Sequence, residues 1–349
     1  MRNGSIASDP LRWGADMLAR LASLASRPRW LSAATPTADI YFLNAMRDEV
    51  SAGVVQALGP NVYGAGGSYV VLRYANGHEL AQLAAARPRQ VFYVIDDDLE
   101  ALSRSGDLPA DYRARLSAFV ARSLPRILTL ADVVLAPNAL LLARFPDHET
   151  GLVLPSYCSL SDGFDHFGDG PLRLVFTGSR SHAGDLEAIA PALERLCTAS
   201  PQIELTTFLG AAVPPPLRRL GNVVNRPALP WPSYRRFMAT ARFHVALAPF
   251  RRTPTNECRS HNKVHDHAAF GAAGLYGDIV PYREIVSHGT DGLLLPPDPE
   301  AWFEALAALL DDRAATRRLA EAGGALSRRT GSPALLRTFW RERLNLETP

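Results

Sequence analysis

Of the 37 lysines and arginines in this 349-residue chain, one is a lysine, Lys263. It stands within Asn256-Glu257-Cys258-Arg259-Ser260-His261-Asn262-Lys263-Val264-His265-Asp266-His267. A compact ammonium kept at one place, where arginine serves everywhere else, suits a site that wants a point charge rather than a planar fork. The apolar spacing downstream starts a helix near residue 260, so Arg259, Ser260, His261 and Lys263 fall at its leading end. A helix N-terminus already carries about +0.5 of a charge, and each exposed cation added there costs a few tenths of a kcal/mol. Several together make sense around an anion that the first backbone N–H groups also hold. Phosphate or diphosphate is the natural candidate. Asp266 follows Lys263 by three residues and shares its helix face. It either pairs with that lysine or accepts hydrogen bonds from vicinal sugar hydroxyls, as the acidic residue of nucleotide-binding folds does on ribose.

A second group of acids, Asp96-Asp97-Asp98, follows an apolar run. A capping box opening at Asp97 with Glu100 explains at most two of them, so Asp96 and Asp97 are candidate catalytic acids. A metal-binding reading of this run, with Mg²⁺ or Mn²⁺ on a diphosphate, is the weaker one. His261 and His265 are four apart but lack the glutamate of a zinc-protease pair, Asn262 standing in its place, so no metal is expected there. His267 reads as a core histidine. Gly178, Arg180 and His182 follow a predicted strand, Arg180 as a further phosphate contact. Asn256 and Glu284 complete the cleft candidates, Glu284 at a predicted helix start. Gly64, Gly66 and Gly67 form a glycine-rich patch, a weak phosphate-loop signal.

Short apolar runs alternate with longer amphipathic segments from about residue 39, the pattern of an α/β protein with parallel sheets. Strands are expected at 40–43, 69–73, 91–95, 133–135 and 152–154, then at 172–177, 203–209, 222–225, 243–248, 274–276 and 292–295. The division expected is an N-terminal amphipathic extension (1–38), a Rossmann-like acceptor domain (39–158) and a linker (159–171). A Rossmann-like nucleotide-sugar domain (172–330) follows, then a C-terminal helix (331–349) that crosses back to the first domain. Ligands of such sheets bind at the carboxyl ends of the strands. The net charge of +2 gives no footprint for nucleic acid. Three cysteines without paired spacing fit a reducing cytoplasm. Residues 10–29 have Trp13, Met17, Leu18, Leu21 and Leu24 at helical spacing beside Arg12, Arg20, Arg27 and Arg29. They read either as a helix packed on its own domain, the preferred choice, or as peripheral contact with the inner face of the membrane.

The segment Arg259–Gly271 resembles the donor-site helix of retaining glycosyltransferases of the GT-B fold, family 4 (glycosyl transferases group 1). Pro281-Tyr282-Arg283-Glu284-Ile285-Val286-Ser287-His288-Gly289-Thr290-Asp291-Gly292-Leu293-Leu294 is similar to the P-Y-x-E-x-V tail of that family. Leu174–Arg180 looks like the first strand and phosphate-facing loop of its second domain, and Trp231, Tyr234 and Ala246–Phe250 resemble the helix and strand ahead of the donor site. Val94-Ile95-Asp96-Asp97-Asp98-Leu99 is similar to an element of some bacterial polysaccharide transferases.

The resemblance implies two Rossmann-like domains facing across a cleft. It implies transfer of a sugar, with retention, from a nucleotide diphosphate sugar to a glycan or lipid-linked acceptor, without a required cofactor or metal. Arg259 and Lys263 fall where donor phosphates bind, and Asp266 where a glutamate contacts ribose. The family's upstream glutamate falls at Cys258, with Glu257 one residue out of step. The alternative is a non-catalytic relative that binds nucleotide sugars or glycans as a scaffold.

Overall fold

The computed structural model describes residues 35–106, 108–157, 163–168 and 170–346. The amphipathic stretch 10–29 and five residues of the expected linker, 159–162 and 169, lie outside them. Two six-stranded sheets form two lobes. The first has the order β1 (Gln56–Gly59), β2 (Val62–Ala65), β3 (Ser68–Leu72), β4 (Gln90–Val94), β5 (Val133–Ala136), β6 (Glu149–Leu152). Strands β1 to β3 run antiparallel and β3 to β6 parallel. The second sheet is parallel throughout, in the order β12 (Leu293–Leu295), β11 (Ala273–Gly277), β10 (Val245–Ala248), β7 (Leu172–Phe176), β8 (Ile203–Thr207), β9 (Val223–Asn225). Its strand order reverses between β7 and β10, the place where an open α/β sheet leaves a crevice at its carboxyl edge.

Two expectations about local structure are corrected. The apolar run 40–43 is helical: Pro36–Ala38, capped by Thr35, leads into a widened turn over Asp39–Leu43 and on into the helix Asn44–Ser51. Four consecutive apolar side chains are as compatible with a helix buried on every side as with a buried strand, and Ile40, Tyr41, Phe42 and Leu43 are all buried. The glycine patch is a hairpin: Gly66 and Gly67 have φ of 57° and 84° and turn β2 into β3, the backbone that a tight two-residue turn demands.

One apolar cluster is shared by both lobes, joining Tyr41, Phe42, Val94 and Trp340 to Val175, Phe208, Phe243 and Phe270. The helix Pro333–Arg343 packs on the first lobe. Its Trp340 donates from Nε1 to the Tyr41 carbonyl at 2.6 Å and meets Phe42 edge-on. Arg337 and Arg341 both reach the buried Glu49 carboxylate, at 2.7 and 3.2 Å. Among the described residues, no helix is long and apolar enough to cross a membrane.

Candidate functional site

The carboxyl ends of β4, β7, β8 and β10 meet at a cleft of about 310 Å³ between the lobes. Its wall includes Asp96 and Asp97 from the first lobe and Thr177, Gly178, Ser179, His182, Arg259, Ser260, Lys263 and Asp266 from the second. Pro36, Ile40, Phe208, Leu229, Trp231 and Tyr234 line it as well. The cleft thus offers both charged groups and planar or apolar ones.

The helix Asn262–Ala269 starts without a capping side chain, His261 occupying the capping position. Lys263 reaches back to β7: its Nζ donates to Thr177 Oγ1 at 3.1 Å and to Asp266 Oδ2 at 2.6 Å. The lysine and the aspartate therefore form an i,i+3 ion pair on the cleft wall, with the lysine side chain 18% and the carboxylate 4% exposed. Tyr234 also donates to Asp266 Oδ2, at 2.9 Å. The other oxygen, Oδ1, is buried beside the Tyr157 phenol. Burial and the Asp266 charge push the Tyr157 and Tyr234 phenols up, so both stay protonated.

Asp96 and Asp97 are gripped by arginines. Arg73 Nη1 lies 2.6 Å from Asp96 and 2.7 Å from Asp97, and Arg259 Nη1 lies 3.3 Å from the second oxygen of Asp97. Thr37 donates to Asp96 at 2.8 Å. The parallel pairing of β3 with β4 brings Arg73 beside the acids, its N–H on the Val94 carbonyl, and a left-handed φ of 55° turns the chain there. The two carboxyls then diverge. Burial, helped by the neighbouring Asp97, holds Asp96 above the usual carboxylate range against the pull of Arg73. For Asp97 burial pushes the same way, but Arg259 and Arg73 outweigh it and hold the group below that range. One acid keeps its charge and the other is the readier to take a proton. The cap of the following helix is Asp98, which accepts from the Ala101 N–H at 2.9 Å. The cap thus lies one residue beyond the expected Asp97, which leaves both preceding acids to the cleft.

Behind the wall, Asp185 organises three segments. It bonds His182 Nδ1 at 2.9 Å, the Arg251 N–H at 3.1 Å and Asn256 Nδ2 at 3.1 Å. Asn256 in turn accepts from Arg259 Nε at 3.2 Å, so it aims that arginine without lining the cleft. Gly178 must be a glycine, because a Cβ there would sit 2.3 Å from the Phe176 ring and 2.8 Å from His182 Cβ. A further brace joins the lobes: buried Asp39 accepts from Trp231 Nε1 at 2.7 Å and from Arg235 at 2.6 Å, with Arg47 on its other oxygen.

Besides Asn256, three candidates lie off the wall. Arg180 begins the tight turn Arg180–His182, whose geometry sends His182 inward and leaves Arg180 exposed. Glu284 is exposed at the end, not the start, of the helix Val280–Arg283. The helix expected over 282–287 begins at Val280 instead, with its proline in the first turn, where the missing N–H costs nothing. His261 is buried behind the helix start, and burial lowers its pKa to about 4. Cys258 is buried in the apolar cluster of the first lobe. Asn138 of that lobe donates to the carbonyls of Glu257 and Arg259, at 3.3 and 2.7 Å. Arg73, Thr37, Asp39, Asp185 and Tyr157 carry no signal in the sequence, since none of them sits in a motif with a readable spacing.

No family model and no curated protein matches the chain in sequence. Solved structures match in shape. Sucrose-phosphate synthase from Thermosynechococcus elongatus superposes with a TM-score of 0.52 at 15% identity, over 77% of this chain and 71% of that one. Anabaena HepE in complex with UDP and glucose gives 0.52 at 14% identity, over 76% and 75%. A variant of S. aureus TarM in complex with fondaparinux, alpha-GlcNAc-glycerol and UDP gives 0.54 at 8% identity, over 73% of this chain and 51% of that one. The chain has the GT-B fold of these proteins.

Proposed function

We propose that the protein is a glycosyltransferase that moves a sugar, with retention, from a nucleoside diphosphate sugar to a hydroxyl of a glycan or lipid-linked acceptor. The observation that carries this is the convergence of Arg259, Lys263 and a helix N-terminus on one cleft, to which the other lobe contributes Asp96 and Asp97. The crystallised neighbours include complexes with UDP. The diphosphate would lie against Arg259, Lys263 and Ser260, with the backbone at Gly178 beside it. Asp266, on the cleft wall, is the carboxylate set to meet a ribose hydroxyl, and the apolar lining around Trp231 takes the base.

As the glycosidic bond breaks, negative charge grows on the diphosphate, and cations already in place stabilise it without reorganisation. This is the main catalytic contribution of the chain's own groups. Attack from the same face as the leaving group accounts for retention, so no protein nucleophile is needed. Asp97 keeps Arg259 aimed, and Asp96 stands at the acceptor side. Cell-surface polysaccharide assembly in a bacterium is the setting proposed, on the likeness of the Asp96–Asp98 element to polysaccharide transferases.

Calorimetric titration with UDP, GDP and ADP tests the reading. One of them should bind, and Lys263→Ala should weaken it about 30-fold, the loss of a charge-assisted bond of about 2 kcal/mol. Lys263→Ala/Asp266→Asn, which removes the stranded carboxylate too, should bind at least as weakly as Lys263→Ala while folding as wild type does. Wild-type protein that binds none of the three would end the transferase reading.

A further inference from the structure

His182 stands beside the cations of the cleft, yet it is not a cation. Its Nδ1 lies 2.9 Å from Asp185 Oδ2. The other oxygen of that aspartate accepts from the Arg251 N–H, Arg251 Nε and Asn256 Nδ2, at 3.1, 3.3 and 3.1 Å. A carboxylate surrounded by donors is ionised and can only accept, so the ring hydrogen is on Nδ1 and Nε2 keeps its lone pair. The ring lies flat on Phe250, centroids 4.3 Å apart and planes 3° apart, which fixes its orientation. Burial, with the Arg259 charge, lowers its pKa to about 4, so the lone pair persists at neutral pH.

An acceptor among cations is of no use to phosphate oxygens, which are themselves acceptors. It recognises a hydroxyl held next to them. The other acids nearby are occupied: Asp96 is held by Arg73 and Thr37, Asp97 by Arg73 and Arg259, Asp266 by Lys263 and Tyr234, and Glu257 by Arg252. Cys258 lies in the apolar cluster of the first lobe.

Resting on the transferase reading, we propose that His182, through Nε2, accepts a hydrogen bond from a hydroxyl of the transferred sugar and so selects the donor's sugar. Asp185 is the positioning residue that holds its tautomer.

The test compares UDP and GDP with their glucose and mannose conjugates, taking the conjugate that wild type binds best. His182→Phe keeps the stacking on Phe250 and removes the acceptor. It should weaken the conjugate about tenfold, the loss of one hydrogen bond, and leave the bare nucleotide within about twofold. Equal loss for both ligands, or none for the conjugate, overturns the proposal while the transferase reading stands. Failure of wild type to bind any nucleotide overturns both. Nitrogen-15 NMR of the wild type gives a second measurement, independent of any variant. The Nε2 signal should move upfield on adding the conjugate and not on adding the nucleotide, and a signal unmoved by the conjugate overturns the proposal.

Discussion

Arg73→Met is the most searching perturbation of the first lobe. The guanidinium sits 2.6 and 2.7 Å from two carboxylates whose side chains are only 11% and 13% exposed. Removing one partner of a buried ionic group typically costs about 3–5 kcal/mol, because the opposite charge stays behind. At about 2–4 °C per kcal/mol for a lobe of this size, that lowers the melting temperature by about 6–20 °C. The deficit should depend on pH in a definite direction. Asp96 already has its pKa raised, and losing Arg73 raises it further, so the folded variant binds a proton that the unfolded chain releases. Such a group recovers stability as pH falls through the folded pKa, until the unfolded chain is protonated too, near about 3.9. Measured against wild type at each pH, the urea-derived deficit should be largest at pH 8 and shrink towards pH 5. Arg73→Met/Asp96→Asn, with one carboxylate fewer, should be more stable than Arg73→Met alone at pH 8. A deficit that is flat with pH, or a double variant no better than the single one, would refute the account of a shared guanidinium holding two coupled acids.

The loss of nucleotide affinity in Lys263→Ala and the tenfold sugar-specific loss in His182→Phe, set out above, are two further expectations. Gly178→Ala should cost about 1–3 kcal/mol through the 2.3 Å approach of its Cβ to the Phe176 ring, and should weaken nucleotide binding in the same calorimetric assay. His182 and His261 are held neutral, with pKa values near 4, below the ordinary value of about 6.5. Their contribution is therefore intact above about pH 6.5 and is lost as the pH falls towards about 4, amounting to roughly 2 kcal/mol for each at pH 5. Urea midpoints unchanged between pH 7 and pH 5 would contradict that burial.

The parallel strands were legible because each is a short apolar run between helical periods, as at β4, β7 and β10. The hairpin of β1 with β2 was not, since Gln56–Gly59 and Val62–Ala65 are brief, interrupted by glycine and without alternation. The cluster around Lys263 was visible through its unusual residue types at a helix start. Arg73 was invisible for the opposite reason: it is one arginine among many, and its role comes from the register that sets β3 beside β4. Likewise Asp185 matters only because a tight turn brings His182 back against it. Arg180 and His182 are two residues apart in the same loop, and only the turn decides which faces the cleft.

The loop that leads into the Lys263 helix belongs by sequence to the second lobe, yet Cys258 is seated among the side chains of the first and Asn138 ties down its carbonyls. Cutting the chain between the lobes would therefore not yield two self-sufficient halves. The piece bearing Lys263 would carry a bare thiol and two unanchored carbonyls, and the other piece a hole where they had been. Prising the lobes apart also pulls on the very loop that presents Arg259. The grip on a ligand and the joint between the halves are mechanically one part.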